Sequence, residues 1–91
     1  MLLITWSEFG RRVAENAARG TDHGTAAPLF VMGKGVKGGI LGDPPDLANL
    51  DNGNLRYHTD FRSVYATILE GWLQTDSTPI LGQKFPKLGF L

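Results

Sequence analysis

The chain has 91 residues, 42% of them apolar, with 9 Lys and Arg balanced by 9 Asp and Glu and no cysteine. That length admits one small domain or part of one, and the apolar content is that of a folding chain rather than a disordered tail. Zero net charge leaves no basic excess for binding a nucleic-acid backbone, and the lack of cysteine excludes disulfides, thiolate-ligated zinc, iron–sulfur centres and thiol nucleophiles.

No apolar run is long enough to span a bilayer. Met1–Trp6 has no basic region and reaches Ser7 and Glu8 too soon for a signal peptide. Leu2-Leu3-Ile4-Thr5-Trp6 is short, apolar and partly β-branched, which predicts a strand buried on both faces, as in a parallel sheet. Such a strand needs neighbours on both sides, and its place next to Met1 is a first sign that the chain is a piece of a larger domain. Ser7 to Gly20 reads as a loop with at most a short helical turn, capped by Ser7 and closed by Gly20.

Pro28 cannot donate to a ladder and is expected to open a strand, Leu29–Met32. Gly33 to Gly39 follows as a glycine-rich turn, after which Ile40-Leu41 could pair briefly. Asp43-Pro44-Pro45-Asp46 enforces extended or turn geometry, and Asp51-Asn52-Gly53-Asn54 is a strong turn signal. Leu55-Arg56-Tyr57-His58 alternates like a short strand. The clearest element is a helix over about 60–74, with Thr59 or Asp60 as its N-cap. Phe61, Val64, Tyr65, Ile68, Leu69, Trp72 and Leu73 fall on one face, a stripe most simply buried on a sheet. Gly71 within that helix costs about 1 kcal/mol relative to Ala and points to close packing. Thr78 to Leu91 reads as irregular. There is no internal repeat and no linker, so residues 1–91 are read as a single partial domain.

Three motifs carry chemical content. Gly33-Lys34-Gly35-Val36-Lys37-Gly38 matches the spacing of a dinucleotide-binding loop, but that loop needs a helix opening at its third glycine. Gly39, Gly42, Pro44 and Pro45 follow instead, so a glycine-rich turn is the better reading and no cofactor is assigned to it. In Thr21-Asp22-His23-Gly24-Thr25, Asp22 and His23 could present ligands to a divalent metal from a loop. The same residues could equally form an Asx-turn with a solvent-facing His23. Glu8 directly follows the first predicted strand, where α/β sheets bind ligands, and is a candidate ligand or acid/base. It could also be a capping or surface carboxylate, paired with Arg11 or Arg12. His58 reads as a capping or packing residue, and no nucleophile–base–orienter set is present.

The motif series at residues 6–16 (from Trp6-Ser7-Glu8-Phe9-Gly10), 20–26 (from Gly20-Thr21-Asp22-His23-Gly24), 30–39 (from Phe30-Val31-Met32-Gly33), 59–73 (from Thr59-Asp60-Phe61-Arg62) and Ile80-Leu81-Gly82 runs through nearly the whole chain. Taken in order, it resembles the C-terminal region of a bacterial family of exported proteins, domain-of-unknown-function family fifteen-oh-one, related to sulfatases and the alkaline phosphatase superfamily. The resemblance implies the C-terminal part of a doubly wound α/β sandwich whose early metal ligands and nucleophile lie upstream. It implies a metal site lined by Glu8, Asp22 and His23, with a divalent metal bound in the full-length parent. Metal-dependent relatives often carry a second His after the carboxylate. Phe9 stands there, leaving one metal or none.

The expected function is that of a fragment, inactive alone, of a metal-dependent hydrolase of sulfate or phosphate esters. The alternative is a non-catalytic binding or scaffold protein that keeps the sandwich. The expected partner is the missing N-terminal portion of the parent, with self-association through exposed strand edges and with neither nucleic acid nor membrane.

Overall fold

A computed structural model describes residues 1–91. The chain is a mixed α/β polypeptide: four short strands, β1 (Leu2–Ile4), β2 (Gly10–Glu15), β3 (Thr21–Gly24) and β4 (Val31–Gly33), precede two helices, α1 (Phe61–Gly71) and α2 (Thr78–Leu81). It divides into two units, Met1–Met32 with Asp43–His58, and Gly33–Gly42 with Thr59–Leu91.

In the first unit β1 pairs with β4 and β2 with β3, as two separate two-stranded ribbons. The Thr5 N–H donates to the Phe30 carbonyl at 3.0 Å, and the Phe30 N–H donates to the Thr5 hydroxyl at 2.9 Å. These bonds join the exit of β1 to the entry of β4, so the two strands run in opposite directions. The first run is therefore not a strand of a parallel sheet, and it is not buried: Leu3 is 47% and Trp6 67% exposed. A two-stranded ribbon without a layer on each face cannot enclose its side chains. The expected strand after Pro28 forms but begins only at Val31, because the Phe30 N–H is taken by a hydroxyl instead of a ladder carbonyl.

The second ribbon corrects the loop expected over Ser7–Gly20. Gly10–Glu15 is extended and pairs antiparallel with Thr21–Gly24, Gly10 opposite Gly24 and Arg11 opposite His23, with an irregularity before Glu15 meets Thr21. The Arg, Ala and Glu residues of β2 favour helix locally, but the turn that follows it folds the chain back and pairing overrides propensity. The Asn16 side-chain oxygen accepts from the N–H groups of Ala18 (3.0 Å) and Gly20 (2.9 Å), and Arg19 occupies the left-handed region at φ 63°. Gly10 is the only buried residue of this unit. A side-chain carbon there would coincide with the Ala26 carbonyl oxygen, and one at Gly24 would lie 2.8 Å from the Arg11 carbonyl carbon.

Asp51 to Asn54 forms the expected tight turn, closed by reciprocal backbone bonds of 2.8 and 2.9 Å. Asn52 (φ 54°) and Gly53 (φ 83°) supply the positive φ at both central positions that a type I′ turn demands. The Arg12 guanidinium donates to the Asn52 carbonyl and anchors the turn. Leu55–His58 and Ile40-Leu41, by contrast, form no strand.

In the second unit Asp60 is the N-cap of α1, extended at φ −74° and ψ 127°, its carboxylate accepting from the Arg62 N–H at 2.9 Å. The same carboxylate holds the Arg62 guanidinium at 2.6 Å, and these bonds keep the Asp60 pKa below its ordinary value. The helix ends at Gly71, three residues short of the predicted 74. Gly71 packs as expected: a side-chain carbon there would meet Leu91 at 3.4 Å.

The apolar stripe of α1 is not buried on a sheet. Of the buried positions Ser63, Val64, Ala66 and Thr67 only Val64 belongs to the stripe; Tyr65, Ile68 and Leu69 are half-buried, whereas Phe61 and Leu73 are 58% and 59% exposed. The C-terminal residues decide this. The Thr67 hydroxyl donates to the Ser63 carbonyl at 2.7 Å and accepts from the Leu88 N–H at 2.8 Å, and Phe85 and Phe90 are buried in the same unit. The segment expected to be irregular includes α2, with Pro79 in its first turn and Gly82 as a left-handed C-cap at φ 85°. Ser77, fully buried, donates to the Glu70 carboxylate at 2.5 Å, and Lys87 approaches Glu70 at 3.6 Å. No helix is long and apolar enough to cross a membrane.

Three measurements check this account. Asp60→Ala removes the α1 cap and is expected to destabilise the chain by about 0.5–2 kcal/mol in denaturant unfolding. Gly10→Ala forces the Ala26 backbone aside and is expected to cost about 1–3 kcal/mol or more. The Ser77 hydroxyl, followed by Lys87, lowers the Glu70 pKa. A depressed folded-state carboxylate contributes stability above its unfolded pKa and loses it as pH falls through the folded value. In an NMR titration Glu70 should protonate below the ordinary glutamate range, and Ser77→Ala should move its midpoint upward.

Candidate functional site

The antiparallel pairing of β2 and β3 brings together two motifs that lie about a dozen residues apart in the sequence. Residues directly opposite in an antiparallel ladder share a face, and so do residues two apart along one strand. Arg11 and His23 are opposite each other, and Phe9 is two residues from Arg11. All three side chains therefore lie on one face of the hairpin. The Phe9 and His23 rings stack with centroids 3.5 Å apart and planes inclined by 10°, and the Arg11 guanidinium carbon lies 4.9 Å from the centre of the Phe9 ring. The opposite face at the same level is the glycine pair Gly10 and Gly24, which backbone covers.

His23 is thus part of a strand rather than of a loop or an Asx-turn. It is exposed and its ring nitrogens make no hydrogen bond within the chain; the stack on Phe9 orients it. Asp22, the preceding strand residue, points to the other face by the alternation of the pleat. Its carboxylate accepts from the Asn16 amide at 3.1 Å. Glu8 lies in the bend before β2, where the Ser7 hydroxyl donates to the Phe9 carbonyl at 2.7 Å. The Glu8 carboxylate is exposed and pairs with neither Arg11 nor Arg12. The register carries Glu8 past the open end of the hairpin, beside the exit of β3.

Nowhere in the chain do three carboxylate or imidazole groups converge as a metal centre requires. Glu8 and His23 together amount to one oxygen and one nitrogen donor, fewer than the three or four ligands a protein gives a zinc-like ion. These residues do not by themselves fit a complete metal site. His58 lies apart, in an open cleft lined also by Asp43, Asp46, Leu47 and Arg56.

The sequence alone offers Arg11 only as an ion-pair partner of Glu8, because residues 7–20 read as a loop. Treating Gly10–Glu15 as a strand would have put Phe9 and Arg11 on one side. Their partner on the other strand would still have needed the register.

A family model described as protein of unknown function (DUF1501) matches residues 1–80. No curated protein and no solved structure matches the chain.

Proposed function

The chain belongs to that family of proteins of unknown function, and from this premise we propose that it is the C-terminal part of a sulfatase- or phosphatase-like protein. In this reading the whole protein is exported and hydrolyses sulfate or phosphate esters with a divalent metal, and the present residues contribute Glu8 and His23 to one wall of its site. Asp22, on the opposite face, supports the hairpin through Asn16 rather than facing the substrate.

The observation that carries the reading is the β2–β3 pairing, which aligns the Ser7-Glu8-Phe9-Gly10 and Asp22-His23-Gly24 motifs at one end of a single hairpin. A second support is the unfilled apolar surface of both units. The first unit buries no side chain larger than glycine, although it carries Leu3, Trp6, Phe30 and Met32. In the second, Phe61 and Leu73 of the helix stripe stay exposed. Apolar residues at these positions fit a sheet and a helix whose covering layers come from further chain, as in a doubly wound sandwich. The isolated 91 residues carry no activated nucleophile and are expected to be inactive.

One observation favours a second reading, a binding or scaffold protein that keeps the fold without the chemistry. Phe9 stands where metal-dependent relatives carry a second His, and its ring is occupied in stacking on His23.

Elemental analysis of the full-length protein, with Glu8→Ala and His23→Ala beside it, separates the two. The hydrolase reading expects stoichiometric divalent metal in the native protein, strongly reduced in His23→Ala, together with turnover of a sulfate or phosphate ester. A metal-free native protein inert toward both ester classes would leave the binding reading in its place.

A further inference from the structure

The geometry points to Arg11 as the anion-recognition residue of this face, the group that takes the tetrahedral sulfuryl or phosphoryl oxygens of a substrate or ligand. The assignment of ester substrates rests on the hydrolase reading; the anion site itself does not.

Four features set Arg11 apart from the other arginines. Its guanidinium is anchored: one terminal nitrogen donates to the Thr21 carbonyl at 2.7 Å, and the Phe9 ring lies beneath it at 4.9 Å. Both anchors are neutral. No carboxylate pairs with Arg11, whereas the Arg62 charge is met by Asp60 at 2.6 Å. The side chain is exposed, and its remaining N–H groups have no acceptor in the chain. Finally, it stands directly across the ladder from His23, on the same face.

An arginine fixed by a backbone carbonyl and an aromatic ring loses little rotamer freedom on binding. With its charge uncompensated and its planar fork of donors open, it matches the paired oxygens of a sulfate or phosphate group. Arg12 does not fill this role. It alternates to the other face, and its guanidinium is committed to the Asn52 carbonyl and packed against Gly53.

The test is calorimetric titration of inorganic phosphate, and separately of inorganic sulfate, into the full-length native protein and its Arg11→Gln and Arg11→Lys variants. Bound metal is measured on each sample, and circular dichroism checks folding. The native protein should bind at least one of the anions with a Kd on the order of 1 mM or tighter. Arg11→Gln should weaken that binding by about tenfold or more, and Arg11→Lys should fall between, because an ammonium keeps the charge but loses the fork. Metal content should not change in either variant. Preference for phosphate or for sulfate identifies which ester class the face accepts.

Native protein that binds neither anion, or Arg11→Gln that binds as well as native, overturns the proposal. If Arg11→Gln does not fold, Arg11→Lys decides, and affinity equal to native overturns it. Arg11-dependent anion binding in a protein without metal would sink the hydrolase reading and leave the anion site standing. Metal lost in His23→Ala, with anion binding indifferent to Arg11, would do the reverse.

Discussion

The backbone approach at Gly10 and Gly24 is the constraint on which the candidate site depends. Both residues must lack a side chain for the two strands and the Ala26 segment to come as close as they do. With those side chains absent, one face of the hairpin is closed by backbone. The other is left to carry Phe9, Arg11 and His23. Phe9, Arg11 and His23 therefore occupy the face opposite the one that main chain closes at Gly10 and Gly24. A substitution that never touches the imidazole or the guanidinium can still dismantle their alignment, because alignment here is a property of register.

The two units are held by different forces. In the first, order comes from directional bonds: reciprocal backbone pairs, the Asn16 side chain closing its turn, and Arg12 bound to the Asn52 carbonyl. It has no apolar core of its own. The second has a small one, formed by Val64, Ala66, Phe85 and Phe90, with polar ties from Thr67 and Ser77 to neighbouring segments. The helix turns its small residues inward because the C-terminal segment passes close to it, and Gly71 against Leu91 is part of the same approach. Phe61, Trp72 and Leu73 of the stripe are what remains exposed. In the first unit, hairpin geometry is fixed by those directional bonds where packing is thin.

Chemically, the exposed face combines an unpartnered imidazole, an aromatic ring and a cation held by neutral groups. Such a surface is better suited to an anion than to a cation, and on its own it is short of ligands for a metal. Glu8 lies exposed in the bend that leads into this hairpin. The hydrolase and binding readings share this surface. They differ in whether additional ligands complete it.

Local signals in the sequence determined the elements whose causes are local. Asn52-Gly53 specified its turn because few other residue pairs tolerate positive φ twice in succession. Asp60 specified a helix start because its carboxylate reaches a free N–H two residues on. The Glu8, Asp22 and His23 candidates were also legible, as residue types in motifs. What the sequence could not determine was which of them meet, or which side of α1 faces inward. The first depends on β2 being a strand at all, and residues 10–15 have mixed propensity that only pairing with Thr21–Gly24 resolves. The second depends on where Leu88 runs, 21 residues beyond Thr67, whose hydroxyl accepts from its N–H. Periodicity locates the apolar stripe, but burial is a relation between distant segments, and only the tertiary structure decided it.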